Sequence, residues 1–156
     1  MGLLSLAKEL SAGIEAEAER AEVQVAITVF DREGVIVLQH RMPGAPVDAV
    51  PLSERKAYTA ALVHRRTDEL ARPAEGDLPD YAPTAIGGGR YCILPGGVPL
   101  EAHGELVGGV GVSGAGDADA AIIDAVLDQL RSPGSLGDIP QQALSEAQDL
   151  RLRYGT

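Results

Sequence analysis

The stretch "PGGVPLEAHGELVGGVGVSGAGDAD", Pro95 to Asp119, decides the fold. Its apolar runs "VPLEA" and "LVGGVGVS" are separated by "HGE", which suits a tight hairpin turn, so the segment reads as two antiparallel strands. "YCILP", just upstream and set off by "GG", reads as a further strand. The last strand carries glycine at 108, 109 and 111. Glycine inside a strand costs about 1 kcal/mol relative to alanine, and it marks a place where another backbone or a ligand approaches closely. The run is not a dinucleotide fingerprint, which would open a helix after a parallel strand and be followed by an acid about 20 residues on. Here "GGVGVSG" is itself a strand ending in a turn. Backbone N–H groups of "SGAGD" could still hold a small anion at the start of the next helix.

Upstream, Val23, Val25, Ile27 and Val29 alternate with smaller or polar residues, the pattern of a half-buried strand. "DREG" then turns the chain, and "VIVLQH" returns as the partner strand. Before this hairpin, Leu3, Leu6, Leu10 and Ile14 recur at helical spacing, and "EAEAER" favours helix, giving an amphipathic first helix to Ala21.

After the hairpin, the Pro- and Gly-rich "RMPGAPVDAVP" leads into "LSERKAYTAALVHRR". Leu52, Ala57, Ala60, Ala61 and Val63 form a narrow face of mostly small residues there, suited to a helix lying close on a sheet. Asp48 is its N-cap candidate, with Pro51 in the first turn. "ARPAEGDLPDYAPTAIGGGR" is expected to cross one face as an ordered loop. The final helix, Ala118 to Leu130, places Ala121, Ile122, Ala125, Val126 and Leu130 on one stripe. "RSPGSLGDIP" then breaks the chain, and "QQALSEAQDLRLRY" reads as an added short helix. The pattern predicts an α+β domain over residues 1–131, with five antiparallel strands and helices on both faces, followed by an extension over 132–156.

Composition excludes several classes of function. With 23 acidic against 13 basic residues and a formal charge of -10, the chain lacks the cationic surface that nucleic acid requires. Aromatic residues are only 3% and tryptophan is absent, so base stacking is also disfavoured. No run approaches the roughly 18 apolar residues of a membrane span, and Lys8 and Glu9 interrupt what would be the apolar part of a signal peptide. A cytoplasmic protein is expected. Cys92 is the single cysteine, so it reads as buried filler rather than as part of a disulfide or a cysteine-rich metal site.

Three motifs in order, "HRMPGAP", "RKAYTAAL" and "LPGGVPLEAHGELVGGVGVSG" with Asp119 following, resemble the GlcG/HbpS family. That family includes haem-binding proteins and the carboxy-terminal domain of PduO-type corrinoid adenosyltransferases. The resemblance covers roughly Leu3 to Leu130 and implies a profilin-like three-layer α/β/α sandwich, homo-oligomers, and a small-molecule pocket for haem or another tetrapyrrole. Carried onto this sequence, the pocket positions are Gly44, Ala45, Lys56, Thr59, Gly108, Gly111 and Ser113.

Each candidate has two readings. Lys56 either packs beneath the sheet, paired with a carboxylate such as Asp119 or Glu101, or snorkels from an exposed face. If the chain were an enzyme of lyase or isomerase type, Lys56 would serve as general base or anchor, helped by His40 or His103. Those two histidines are also the candidates for a haem iron ligand; none of His40, His64 and His103 shows zinc spacing. His64 reads as an imidazole at a helix carboxyl end, stabilised by the dipole. Ser113 lacks the arrangement of a nucleophile elbow and reads as a cap, as do Asp117 and Asp119. A third possibility is a structural oligomer subunit, joined through its tail helix.

Overall fold

The computed structural model describes residues 2–70 and 90–131. The chain runs α1 (Gly2–Arg20), β1 (Ala26–Asp31), β2 (Ile36–Arg41), α2 (Ala49–Val63), the single turn α3 (Thr67–Leu70), β3 (Gly97–Ala102), β4 (Glu105–Ser113), a 3-10 turn (Gly116–Ala118) and α4 (Asp119–Arg131). The strands form one sheet in the order β2-β1-β4-β3, every neighbouring pair antiparallel.

The period-2 alternation sorts the two faces. Ile27 and Val29 lie opposite Val112 and Val110, and all four are fully buried in a core shared with Leu10 and Ile14 of α1 and Ile123 and Val126 of α4. The helical spacing of Leu3, Ala7, Leu10, Ile14 and Ala18 puts the apolar stripe of α1 onto that face. Thr28 and Phe30 point the other way, toward α2, and Gly111 and Gly109 stand opposite them.

The glycines explain how α2 seats. A β-carbon on Gly111 would lie 2.1 Å from the Ser53 carbonyl oxygen, and one on Gly109 would lie 2.5 Å from that of Ala57. On β3, Gly97 stands in the same relation to the Lys56 carbonyl, at 2.4 Å. The backbone of α2 therefore rests directly on the sheet, which its small buried residues Ala57, Ala60 and Ala61 permit from the other side. Beneath it a directed polar chain runs from the Gln39 amide to the Thr28 hydroxyl at 3.1 Å, on to Ser53 at 2.8 Å, and ends on the Val50 carbonyl at 2.8 Å. Thr28 and Ser53 are fully buried, so each needs its partner.

Several expectations are corrected. The described residues hold four strands, not five: Tyr91–Pro95 is not a strand, because the Cys92 N–H donates to Thr59 Oγ1 at 2.8 Å and the Leu94 carbonyl accepts from Thr67 Oγ1 at 2.6 Å. Those backbone groups are spent on α2 and α3 instead of a neighbouring strand. Asp48 precedes α2 but its side chain makes no capping bond. The buried stripe of α4 is Ala120, Ile122, Ile123, Val126 and Leu127, so Ala121 faces solvent and the larger residues Ile123 and Leu127 turn inward. Val63 is likewise exposed at the end of α2. The "GGG" of the long loop and the 132–156 extension lie outside the described residues.

Arg66 ties the chain after α2 to α4, forking onto Asp68 at 2.9 and 3.1 Å and onto Asp124 at 2.6 and 2.9 Å. The group is partly exposed, so the network is worth less than a buried one. Arg66→Ala is expected to lower unfolding stability by about 1 kcal/mol, with Arg66→Lys recovering only part because it cannot fork twice. Urea denaturation of the two variants measures this.

Candidate functional site

Lys56 is the central residue of α2, on the side that faces the end of β4. Its Nζ donates to Asp119 Oδ2 at 3.0 Å and to the Val112 carbonyl at 3.0 Å. The two side chains are 4% and 3% exposed. Asp119, the first residue of α4, also accepts the Ala115 N–H through Oδ1 at 2.8 Å, so it keeps the turn-capping role its position predicts while pairing with the lysine. Burial pushes the Asp119 carboxyl above its ordinary range, and the Lys56 charge and hydrogen bond pull it back only in part. Gly96, at φ 120°, closes the site: a β-carbon there would meet Asp119 Cβ at 2.8 Å and Lys56 Nζ at 3.1 Å. The arrangement is a sealed clamp joining α2, β4 and α4. It leaves Lys56 an ammonium fixed by two acceptors, with no open space at its tip.

The other predicted positions scatter around this clamp. Gly44 takes φ 85° in the loop after β2, beside the Gln24 side chain, and Ala45 is buried next to it. Thr59 is fully buried, donating to the Arg55 carbonyl and accepting from Cys92. Gly111 is filled over by α2, and a β-carbon at Gly108 would strike the Phe30 carbonyl at 2.1 Å, so these glycines admit backbone where a ligand-lined cavity was expected beside Lys56. Ser113 is buried at the end of β4.

The histidines do not join them. His40 pairs in register with Ile27, which places it on the α1 face of the sheet, opposite α2. Its Nε2 is closed off from solvent with no hydrogen bond, although Glu15 Oε2 stands 3.4 Å away. His103 sits exposed at φ 54° in the β3–β4 turn. That turn lies at the opposite end of β4 from Val112, roughly 20 Å along the strand at its usual rise. Among the described residues, Lys56 and the histidines are thus not brought together for shared acid-base chemistry. Among the described residues no cluster of His, Cys, Asp and Glu could hold a metal ion.

At that far end the molecule does open. A cleft of about 490 Å³ is lined by Arg32, Glu33, His64, Glu105 and Leu106. His64 reaches it because α2 ends there in a left-handed residue, φ 61°, whose N–H closes on the Ala60 carbonyl. Beside the cleft the aromatic side chains assemble. Phe30 meets Tyr58 edge-on at 5.7 Å, Tyr58 meets Tyr91 at 5.6 Å, and the Arg90 guanidinium lies 3.7 Å over the Tyr58 ring. The two features share the β1–β2 turn, whose Gly34 would carry a β-carbon 3.1 Å from Tyr58. Sequence reasoning set His64 aside as a helix end and missed Arg32, Glu33, Tyr58 and Arg90. The signal was present only as "DREG" and "VHRR", two turns that nothing in the sequence places side by side.

The model of a family described as "Haem degrading protein HbpS-like" matches residues 4–128. The chain belongs to the HbpS-like family. An uncharacterised 15.0 kDa protein from the dhaT-dhaS intergenic region of Citrobacter freundii is 32% identical over 80% of this chain and 89% of its own length. A double mutant of Streptomyces reticuli HbpS superposes with a TM-score of 0.71 at 32% identity, covering 83% of this chain and 88% of that one. The crystal structure of a PduOC–haem complex superposes with a TM-score of 0.74 at 26% identity, covering 82% and 93%. In this HbpS-like chain the three motifs that carry the resemblance converge: "HRMPGAP" ends β2 and leads to α2, "RKAYTAAL" is the body of α2, and the third motif leads into and supplies β3 and β4. The second and third motifs, with Asp119, build the seating of α2 and the Lys56–Asp119 clamp. No described helix is long and apolar enough to cross a membrane.

Proposed function

We propose that this HbpS-like chain binds haem or a related flat tetrapyrrole, at the open end of the sheet where the cleft and the aromatic cluster meet. The observation that carries the reading is the likeness over four fifths of the chain to a protein solved with haem bound. The local chemistry fits such a group. His64 lines the cleft, and His103 stands on the exposed turn two residues before Glu105, so imidazole donors for an iron are at hand, while His40 has its Nε2 shut against Glu15. Tyr58 and Tyr91 add aromatic surface for a conjugated ring. Haem, when bound, supplies an iron with ligand positions open to imidazole. What the protein contributes is the donor, the flat apolar neighbour and the local charge. A cytoplasmic homo-oligomer belongs to the same reading, and sedimentation of the purified protein tests its assembly.

Titration of the purified chain with haem tests the assignment. A saturable shift of the Soret band is expected, and replacing both His64 and His103 by alanine should weaken it by about tenfold or more, the loss of one good ligand interaction. A titration of the unaltered protein without saturation overturns the haem reading. An unchanged Soret position in the double variant removes the two histidines from it.

A further inference from the structure

Arg90 is held in an unusual way for a cation of this molecule. Lys56, Arg65 and Arg66 are each engaged by carboxylates, Asp119, Glu69, and Asp68 with Asp124 respectively. Among the described residues Arg90 makes no ion pair, and its guanidinium is stacked on an aromatic face, 3.7 Å from the Tyr58 centroid. The stack is braced, because Tyr58 is packed edge-on against Phe30, which is only 3% exposed, and at a tilt against Tyr91. Stacking fixes the plane of the guanidinium without using its N–H groups, all of which lie in that plane. The result is a preset fork, exposed and, among the described residues, unspent.

We propose that this fork is an anchor for a carboxylate on the edge of a flat, conjugated ligand, with Arg90 gripping the carboxylate and Tyr58 and Tyr91 flanking the ring system. The assignment rests on the tetrapyrrole reading above and adds to it which residue selects for ionised side arms. Charge makes the selection necessary. A chain of formal charge -10 repels an anionic ligand at a distance, so such a ligand settles only where a local cation and a bidentate geometry outweigh the field. The alternative role for the stack is to pin the chain as it comes onto α2 just before Cys92 bonds Thr59.

Carboxylate selectivity separates the two roles, because a pin is indifferent to the ligand's charge. Protoporphyrin IX and its dimethyl ester share a ring and differ in their carboxylates. Binding of each is followed by quenching of intrinsic tyrosine fluorescence, which a protein with four tyrosines and no tryptophan reports cleanly. The wild type is expected to prefer the diacid by about tenfold or more, the worth of one charge-assisted bidentate contact. Arg90→Gln should abolish the preference while leaving ester binding unchanged, and Arg90→Lys should restore only part of it. Should Arg90→Gln prove unstable by circular dichroism, Tyr58→Leu, which removes the stacking surface, is expected to reduce the same preference. Equal preference in wild type and Arg90→Gln overturns the anchor while leaving the tetrapyrrole reading intact. Absence of binding by either porphyrin to the wild type overturns the anchor, while the haem titration decides the tetrapyrrole reading separately.

Discussion

Gly111→Val is expected to unfold the domain or to cost at least about 3 kcal/mol, the upper range for forcing volume into a packed site. The position allows no cheap escape. A β-carbon there would sit 2.1 Å from the Ser53 carbonyl oxygen and 2.5 Å from the Ala57 amide nitrogen, so what must move is the helix backbone and not a flexible side chain. Moving α2 outward would in turn stretch the Thr28–Ser53 hydrogen bond beneath it and leave two fully buried hydroxyls short of partners. Even Gly111→Ala should cost more than the same change at Gly104, where nothing lies within 4 Å and only the positive φ of 79° opposes a side chain, a strain of about 1 kcal/mol. Gly109→Ala should behave like Gly111→Ala, since its β-carbon would meet the backbone of Ala57 and Ala61. Guanidinium denaturation of the three alanine variants ranks them. If Gly111→Ala matches Gly104→Ala, α2 does not rest on the sheet as described.

The same glycines show what could be read in advance. Alternation in "VQVAITVF" and the "HGE" turn fixed two hairpins, and both exist as β1–β2 and β3–β4. Close approach at 109 and 111 was also legible, because glycine in a strand has few other uses. Which neighbour approaches was not, since a helix backbone and a ligand leave the same mark on a single sequence. Lys56 was legible only as an alternative: the sequence left open a snorkelling lysine or a buried one paired with Asp119 or Glu101, and the fold takes the second with Asp119 while Glu101 stays exposed on β3. "YCILP" misled because a short apolar run has no period, and a chain lying on a helix satisfies its backbone through threonine hydroxyls just as a strand does through a neighbour. The cleft was invisible for a topological reason. Arg32, His64 and Glu105 come from three turns that meet only once the antiparallel order β2-β1-β4-β3 is set.

The second large effect concerns the clamp, and its sign is set by burial. Lys56→Met leaves the Asp119 carboxylate without a counter-ion in a site that is 3% exposed, and Asp119→Leu leaves the ammonium without one, bonded only to the Val112 carbonyl. Each single change should cost about 3–5 kcal/mol at neutral pH, whereas the double variant, which buries only apolar groups, should lie within about 1 kcal/mol of wild type or above it. The pH dependence distinguishes the singles. Because burial raises Asp119 above 3.8 in the folded protein, the folded state holds that proton more tightly than the unfolded chain, so its contribution to stability is complete below pH 3.8 and is lost as pH rises through the folded value. Removing Lys56 deletes both the charge and the hydrogen bond that pull the carboxyl down, so that window extends toward neutrality. Lys56→Met should therefore regain stability relative to wild type as pH falls from 7 toward 5, and Asp119→Leu should not. Urea titrations of the four proteins at the two pH values give the coupling directly. Single variants that each lose less than about 1 kcal/mol would mean that water reaches the pair, since only solvent can relieve a charge whose partner has been taken away.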